Sequence, residues 1–504
     1  MILEILIVVL MSGAILSILF SRLSNSMPRY IALLALAIDL IILLSFWNRV
    51  PFPVLFGSKN GWMLESNREW IQIFSANLHL AMDGLSYLML LLTLFMGFIT
   101  VMVTSKTDND GFFYFNTLLM IAGVTGIFLA MDLLLFFFFW ELMLVPIYLL
   151  MVKFGKDPSS KSSFKLLLYT QASGLVMLIS IIILNAIFYH ITGWNSFDYF
   201  NLYGISMGPN VASILMFGFL FAFLVKLPSL PFHGWFPSSF KNAPVVAITA
   251  GLLIKTGAYG IIRFALPIFQ EASMLYNYAF LTLGVITILY GAFMAFSKDD
   301  LRVIAAYIGI SHMGFIIIGI FSYNIIAWQG VILQMIMSAI STSALLLFAS
   351  LLLKRTGTCN ISQLGGLFEK VPILSGMGMF FAFAILGLPG TGNFVAEFLI
   401  LTGIFKTHIL IAILSSFGLI ISVAYSLRII QKVIVGKKII ESQMEDLKIF
   451  EKIVMGCLVV LILWIGLYPK PIMDRSKPSI EKLLNKIVLK NETSQQKEIS
   501  TLSK

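Results

Sequence analysis

The chain has 504 residues and a net charge of +10, with 59% hydrophobic and only 12% charged residues. Globular domains run at about 45–50% apolar and about 25% charged, and no water-soluble interior of this size hides so much apolar surface. With a mean hydropathy of +0.96, most of the chain must have lipid as its solvent, which excludes the soluble enzyme and nucleic-acid-binding classes.

Met1 to Phe20 is apolar but lacks a basic leader and a small-residue cleavage site, so it reads as a retained first span. Apolar stretches of about 20 residues then recur almost without pause. Spans are expected near 2–20, 30–48, 85–103, 112–131, 133–153, 164–189, 211–230, 243–265, 276–296, 303–321, 326–353, 371–404, 409–430 and 452–468. The expected fold is an all-α polytopic membrane protein of about fourteen helices. Residues 49–83, with Pro51, Pro53, Gly57 and Gly61, read as an ordered external loop with room for a hairpin. Residues 471–504 read as a frayed polar tail.

Lys and Arg concentrate in the odd-numbered loops, as Arg22 and Arg29, Lys153 and Lys161, Lys298 and Arg302, and Lys354 and Arg355 show. The positive-inside rule places those loops in the cytoplasm and both termini on the opposite, periplasmic side. Cys359 and Cys457 stand far apart and belong to no Cys/His cluster, and no GxGxxG or P-loop occurs. The expectation is a chain with no cofactor and no metal of its own.

Two spans carry their own interruption. One runs from Phe223 to Pro237 through Pro228 and Pro231, the other from Leu386 to Glu397 through Pro389 and three glycines. Proline removes a backbone donor and clashes with the preceding turn, and lipid cannot satisfy the groups this frees. Such breaks survive where they line protein or a wet cavity. They lie about five spans apart, which suggests two five-helix repeats, 112–265 and 276–430, each with one broken helix. An odd number of helices per repeat inverts the second copy in the membrane, an arrangement that marks ion pathways. Residues 1–111 then form an N-terminal unit of three helices with the loop 49–83, and 431–504 hold the last helix and the tail.

An ionisable side chain near a helix centre costs roughly 2.5–3.5 kcal/mol on insertion scales, so several of them need a use or a partner. Glu141 stands alone in the run Phe136-Phe-Phe-Phe-Trp140-Glu141-Leu-Met-Leu-Val-Pro146. A buried carboxylate pairs with a base or keeps its proton, and both states suit proton handling. Lys226 precedes the first break, Lys255 sits mid-span, His312 is the mid-span histidine, and Glu397 closes the second break. Two acids, two amines and an imidazole are the chemistry of a proton relay. His233 offers support beside Pro231. Ser338, Ser341 and Thr342 lie at helical spacing on one expected inward face, where hydroxyls could order water beside Lys255. Asp39 has no evident partner and is expected to face a neighbouring subunit, while Arg263 is expected to snorkel to the interface.

The strings FFFFWELMLVP (136–146), KLPSLPFHGWFP (226–237), LLIKTGAYG (252–260), SHMGF (311–315) and LGLPGTGNFVAEF (386–398) resemble the antiporter-like membrane subunits of respiratory complex I. Those subunits are related to the Mrp-type sodium/proton antiporters. The resemblance runs from about Ile31 to Tyr468 and meets five motifs in order. It implies inverted repeats in a bacterial inner membrane and a proton channel driven by electron transfer from NADH to quinone. NADH, FMN, the iron–sulfur clusters and quinone would all belong to other subunits. The partners implied are L-type and N-type antiporter-like subunits and lipid.

Glu141 and Lys226 take the place of the family's essential pair, Lys255 and His312 that of its central relay, and Glu397 that of its terminal gate. N-type and Mrp members commonly carry lysine where Glu397 stands, and L-type members carry a long lateral C-terminal helix for which 471–504 reads as too polar. The M-type branch is thus the expected one, with an Mrp-type cation/proton antiporter subunit as the alternative. Two family histidines are missing, with Phe240 and Ser338 at their positions.

Overall fold

The computed structural model describes residues 1–49, 62–104, 110–155, 161–242, 244–437 and 444–502. Pro51, Pro53, Gly57 and Gly61 lie outside the described residues. The N-terminal part comprises α1 (Ile2–Phe20), α2 (Met27–Ser45), the hairpin of β1 (Leu64–Ile71) and β2 (Ala76–Met82), α3 (Gly84–Val103) and α4 (Gly111–Leu129). Next come α5 (Leu133–Leu142), α6 (Leu144–Phe154), α7 (Lys161–Thr192), α8 (Tyr199–Leu202), α9 (Pro209–Lys226), α10 (Trp235–Asn242), α11 (Pro244–Gly260), α12 (Leu266–Ile268) and α13 (Gln270–Leu275). The second half holds α14 (Asn277–Ser297), α15 (Leu301–Phe321), α16 (Ile325–Thr356), α17 (Leu367–Lys370), α18 (Pro372–Leu386), α19 (Gly392–Thr407) and α20 (Ile409–Ile429). Last are α21 (Ile449–Leu467) and α22 (Lys470–Leu502).

Among the described residues, thirteen helical stretches are long and apolar enough to cross a membrane, with Leu133–Phe154 and Gly251–Ile268 each counted as one, and α18 is a shorter apolar helix. Side-chain caps start several of them. Asp83 accepts the Ser86 amide at α3, Asp132 accepts those of Leu134 and Leu135 at α5, and Asn324 accepts those of Ile326 and Ala327 at α16. Each cap satisfies amides that the first turn leaves without a helical acceptor. α15 and α16 are buried almost throughout, whereas α1, α2, α7 and α20 leave most of their apolar surface outward, where lipid would cover it.

The hairpin is antiparallel, with Leu64 opposite Met82 and Arg68 opposite Leu78, and a bulge between Glu69 and Ile71. Its anchor is polar. His79 lies 2.5 Å from Asp198 and 3.1 Å from Glu65, and the Asn77 amide donates to Asp132 at 3.1 Å. Burial works against the imidazolium, but hydrogen bonds and charge from Asp198 and Glu65 outweigh it and raise the His79 pKa above 6.5.

The C-terminal segment corrects the sequence reading: 470–502 is one helix of 33 residues rather than a frayed tail. Ile472, Ser476, Ile480, Leu483, Leu484 and Ile487 are buried, at spacings of three to four residues. Its average polarity conceals a one-sided apolar stripe, which lies along α3, α12, α13 and α16. Ser479 Oγ accepts the Gly84 amide at 3.1 Å, tying α22 to the start of α3.

The span expected at 133–153 is interrupted too, with α5 ending at Leu142 and α6 starting at Leu144. Pro146 has no amide to offer the Leu142 carbonyl, so the turn just past Glu141 is re-formed. Pro267 acts likewise on Arg263, where residues 261–265 widen into a π turn. Such turns recur at functional sites.

Candidate functional site

Both expected breaks are present. After α9 the chain leaves helical geometry at Leu227 and resumes a helix at Trp235. The freed carbonyls find protein partners: Trp235 Nε1 donates to Val225 O at 2.8 Å, and Ser229 Oγ donates to Leu224 O at 3.2 Å. At the second break Gly387 and Gly390 adopt φ of 79° and 96°, a left-handed backbone that glycine takes without a side-chain clash. Thr391 Oγ1 donates to Leu388 O at 2.7 Å there.

Lys226 is fully buried at the C-terminal end of α9, where the helix dipole favours a cation, and its Nζ sits 4.9 Å over the Trp140 ring. Glu141 is its electrostatic neighbour. Gln171 of α7 reaches the same carboxylate. Room for it is made by Gly174, where a Cβ would stand 2.5 Å from Glu141 Oε1. Among the described residues, neither Glu141 Oε1 nor Lys226 Nζ has a hydrogen-bond partner. Gly257 brings α11 onto the first break, since its ideal Cβ lies 2.5 Å from Phe223 O.

On α11, two residues before Gly257, a continuous polar line begins. Lys255 Nζ donates to Ser338 Oγ at 2.6 Å, and that hydroxyl donates to Gln334 O at 2.5 Å. The Gln334 amide donates to Glu397 Oε1 at 3.3 Å, and His312 Nε2 lies 3.4 Å from the same oxygen. Lys255, His312, Gln334, Ser338 and Glu397 are each at most 3% exposed. A cavity of about 10 Å³ beside Lys255, Ser338 and Thr342 is close to the room one water needs. A second cavity, about 310 Å³, opens on Glu397 from Leu386, Pro389, Phe394 and Val423.

The structure thus brings Lys255, His312 and Glu397 together, and Glu141 with Lys226, as two groups. Among the described residues no hydrogen bond joins the two. Ser338 and Thr342 face Lys255 as expected, but Ser341 does not. It accepts from Asn393 Nδ2 at 3.0 Å and donates to Met337 O at 2.8 Å, toward the second break. Positions i+3 and i+4 diverge by 100° around a helix, and here that angle turns Ser341 away from the Lys255 cavity and toward Asn393. His233 joins neither group and bonds Tyr290 OH at 3.1 Å.

Two further readings are corrected. Asp39 is fully buried within this chain rather than turned to a neighbour, and neither carboxylate oxygen has a hydrogen-bond partner among the described residues. Arg263 does not snorkel. It is 2% exposed and held by Asp83 at 2.6 Å and the Tyr259 hydroxyl at 3.2 Å. A paired charge inside protein avoids the cost of reaching for water. Gln334 and Gln171 escaped the sequence reading because amides do not titrate. The signal available was a lone glutamine in an apolar run, Val331 to Met337. Among the described residues no group of three or more His, Cys, Asp or Glu side chains is placed to hold a metal.

Residues 130–422, which include every charged member of both groups, match the family model described as NADH:quinone oxidoreductase/Mrp antiporter, transmembrane. The chain belongs to that family. NADH-quinone oxidoreductase subunit M of Pseudomonas aeruginosa is 41% identical over 492 residues, covering 95% of this chain and 97% of that one. The Escherichia coli K12 protein of the same name is 40% identical over 472 residues, covering 91% and 93%. A chain in the solved respiratory complex I from Thermus thermophilus with bound NADH superposes with a TM-score of 0.84 at 26% identity, covering 95% and 99%. The Mrp complex from Dietzia sp. shares the fold, with a TM-score of 0.83 at 21% identity over 96% and 97%. The NADH:quinone oxidoreductase/Mrp antiporter family therefore frames both groups of buried charge.

Proposed function

We propose that the chain is the M-type proton-translocating membrane subunit of a bacterial NADH:quinone oxidoreductase. Electron transfer belongs to other subunits, which hold NADH, FMN, the iron–sulfur clusters and quinone. This chain moves protons across the inner membrane, beside L-type and N-type antiporter-like neighbours and lipid. Residues 112–265 and 276–430 act as the two inverted repeats, and both termini face the periplasm.

The observation that carries the reading is the line from Lys255 through Ser338 and Gln334 to Glu397 and His312, with no lipid-facing member. A proton leaving the Lys255 ammonium leaves a neutral amine, and Ser338 with one ordered water can carry it onward. Arriving at His312, it forms an imidazolium beside the Glu397 carboxylate. Passing to Glu397 leaves a neutral ring and a neutral acid at the open second cavity. Lys226 then reloads Lys255, and its charge answers to Glu141. Gln334 is a positioning residue that orients Glu397.

An Mrp-type antiporter subunit is the second reading, favoured by the Dietzia fold likeness. The subunit M relatives, at 41% and 40% identity, favour the first. Purification from native membranes decides between them. The proposed subunit travels with flavin- and iron–sulfur-bearing chains, whereas an antiporter subunit travels without them.

A further inference from the structure

A cavity of about 170 Å³ lies apart from the polar line, where the hairpin's lead-in at Trp62, α8 and α22 meet the start of α3. Its charged wall is one-sided. Arg263, Arg475, Lys482 and Lys486 line it against one acid, Asp83. That acid is already engaged by Arg263 at 2.6 Å and by the Ser86 amide at 2.9 Å.

Two polar atoms in this wall are buried with no hydrogen-bond partner among the described residues. One is the hydroxyl of Tyr199, a residue 2% exposed, and the other is Arg475 Nε. The other two nitrogens of Arg475 are spent on Pro471 O at 2.6 Å and Trp47 O at 2.8 Å, which fixes the guanidinium in place. Burial, then the charges of Lys482 and Arg263, hold Lys486 below the ordinary lysine range. Cations gathered this closely gain from a shared anion, and buried donors without acceptors cost about 1–3 kcal/mol each until one arrives.

We infer that this cavity binds a phosphate-bearing anion, either the headgroup of an anionic phospholipid or free inorganic phosphate. The Tyr199 hydroxyl of α8 on one side and Arg475 Nε of α22 on the other are the donors that the oxygens of a phosphate would meet. A bound phosphate would tie the hairpin, α8 and α22 together across the start of α3.

The test uses the intact purified complex, delipidated in a neutral maltoside detergent. Backbone hydrogen exchange is followed in 62–82 and 470–487 as short-chain phosphatidylglycerol or potassium phosphate is added. The expected result is saturable slowing of exchange in both segments. Protection by phosphatidylglycerol alone identifies a lipid headgroup, and protection by potassium phosphate identifies the free ion. Tyr199→Phe removes one hydroxyl without a packing change and should raise the midpoint about tenfold, the worth of one hydrogen bond to a charged group. Lys482→Gln with Lys486→Gln should abolish protection, and the Lys→Arg pair should retain it. No protection by either anion, or equal protection in Tyr199→Phe and the Lys→Gln pair, overturns the inference.

Discussion

Ser338→Ala tests the line at its tightest point. The wild-type hydroxyl accepts from Lys255 Nζ at 2.6 Å and donates to Gln334 O at 2.5 Å. Among the described residues, alanine leaves Lys255 only the Met313 sulfur, at 3.9 Å. A hydrogen bond to a charged group is worth about 1.5–3 kcal/mol, which corresponds to roughly 10- to 150-fold in a rate it limits. The neighbouring cavity of about 10 Å³, enlarged by the lost hydroxyl, would admit one water and restore part of the path. The expected effect is therefore at the low end, about tenfold slower proton transfer. The assay is NADH-driven proton uptake by proteoliposomes of the purified complex, with assembly checked by subunit content. Uptake within twofold of wild type in a fully assembled complex would refute the role of Ser338 and leave it a packing residue.

Gly174→Ala places a methyl 2.5 Å from Glu141 Oε1, so it should displace the carboxylate and cut pumping about as much as removing the acid. Unchanged pumping would mean that Glu141 tolerates displacement. Lys226→Arg keeps a charge that cannot deprotonate at accessible pH, and proton uptake should fall nearly as far as in Lys226→Ala. Near-normal uptake would show that a fixed charge suffices. Asp39→Leu removes a buried carboxylate without partners and should leave pumping unchanged while stabilising the assembly by about 1–3 kcal/mol, read from thermal unfolding. Loss of pumping would place Asp39 in the path. His79 has its pKa raised in the folded hairpin, so its contribution is complete below about 6.5 and lost as pH rises through the raised value. Exchange protection of β2, corrected for intrinsic rates, should fall across that window in wild type and stay flat in His79→Gln.

The helices were legible because a lipid-crossing segment must be long, apolar and hydrogen-bonded within itself, which leaves few alternatives in the sequence. α1 runs over Ile2–Phe20, α3 over Gly84–Val103 and α20 over Ile409–Ile429, close to the apolar runs that announce them. The breaks at Pro228 and Pro389 were legible from proline chemistry. The one after Glu141 was missed because its cause, Pro146, acts a full turn upstream of itself. α22 was missed because average composition cannot show an apolar stripe. Titratable members of the site stood out against lipid, but Gln334 and Gln171 did not, and nothing local told Ser341 from Thr342. The acid that pairs with Arg263, Asp83, lies 180 residues away in sequence, so the ion pair that buries it had no local sign.

The most direct test of proton carriage by this chain is the number of protons moved per NADH oxidised in proteoliposomes of the complex bearing Glu141→Gln. The lone carboxylate of α5 faces Lys226 with Gly174 making its room, and its loss leaves that lysine no acid to answer to. The account predicts that the variant complex assembles, oxidises NADH slowly and loses pumping. Assembly with wild-type pumping per NADH would contradict it.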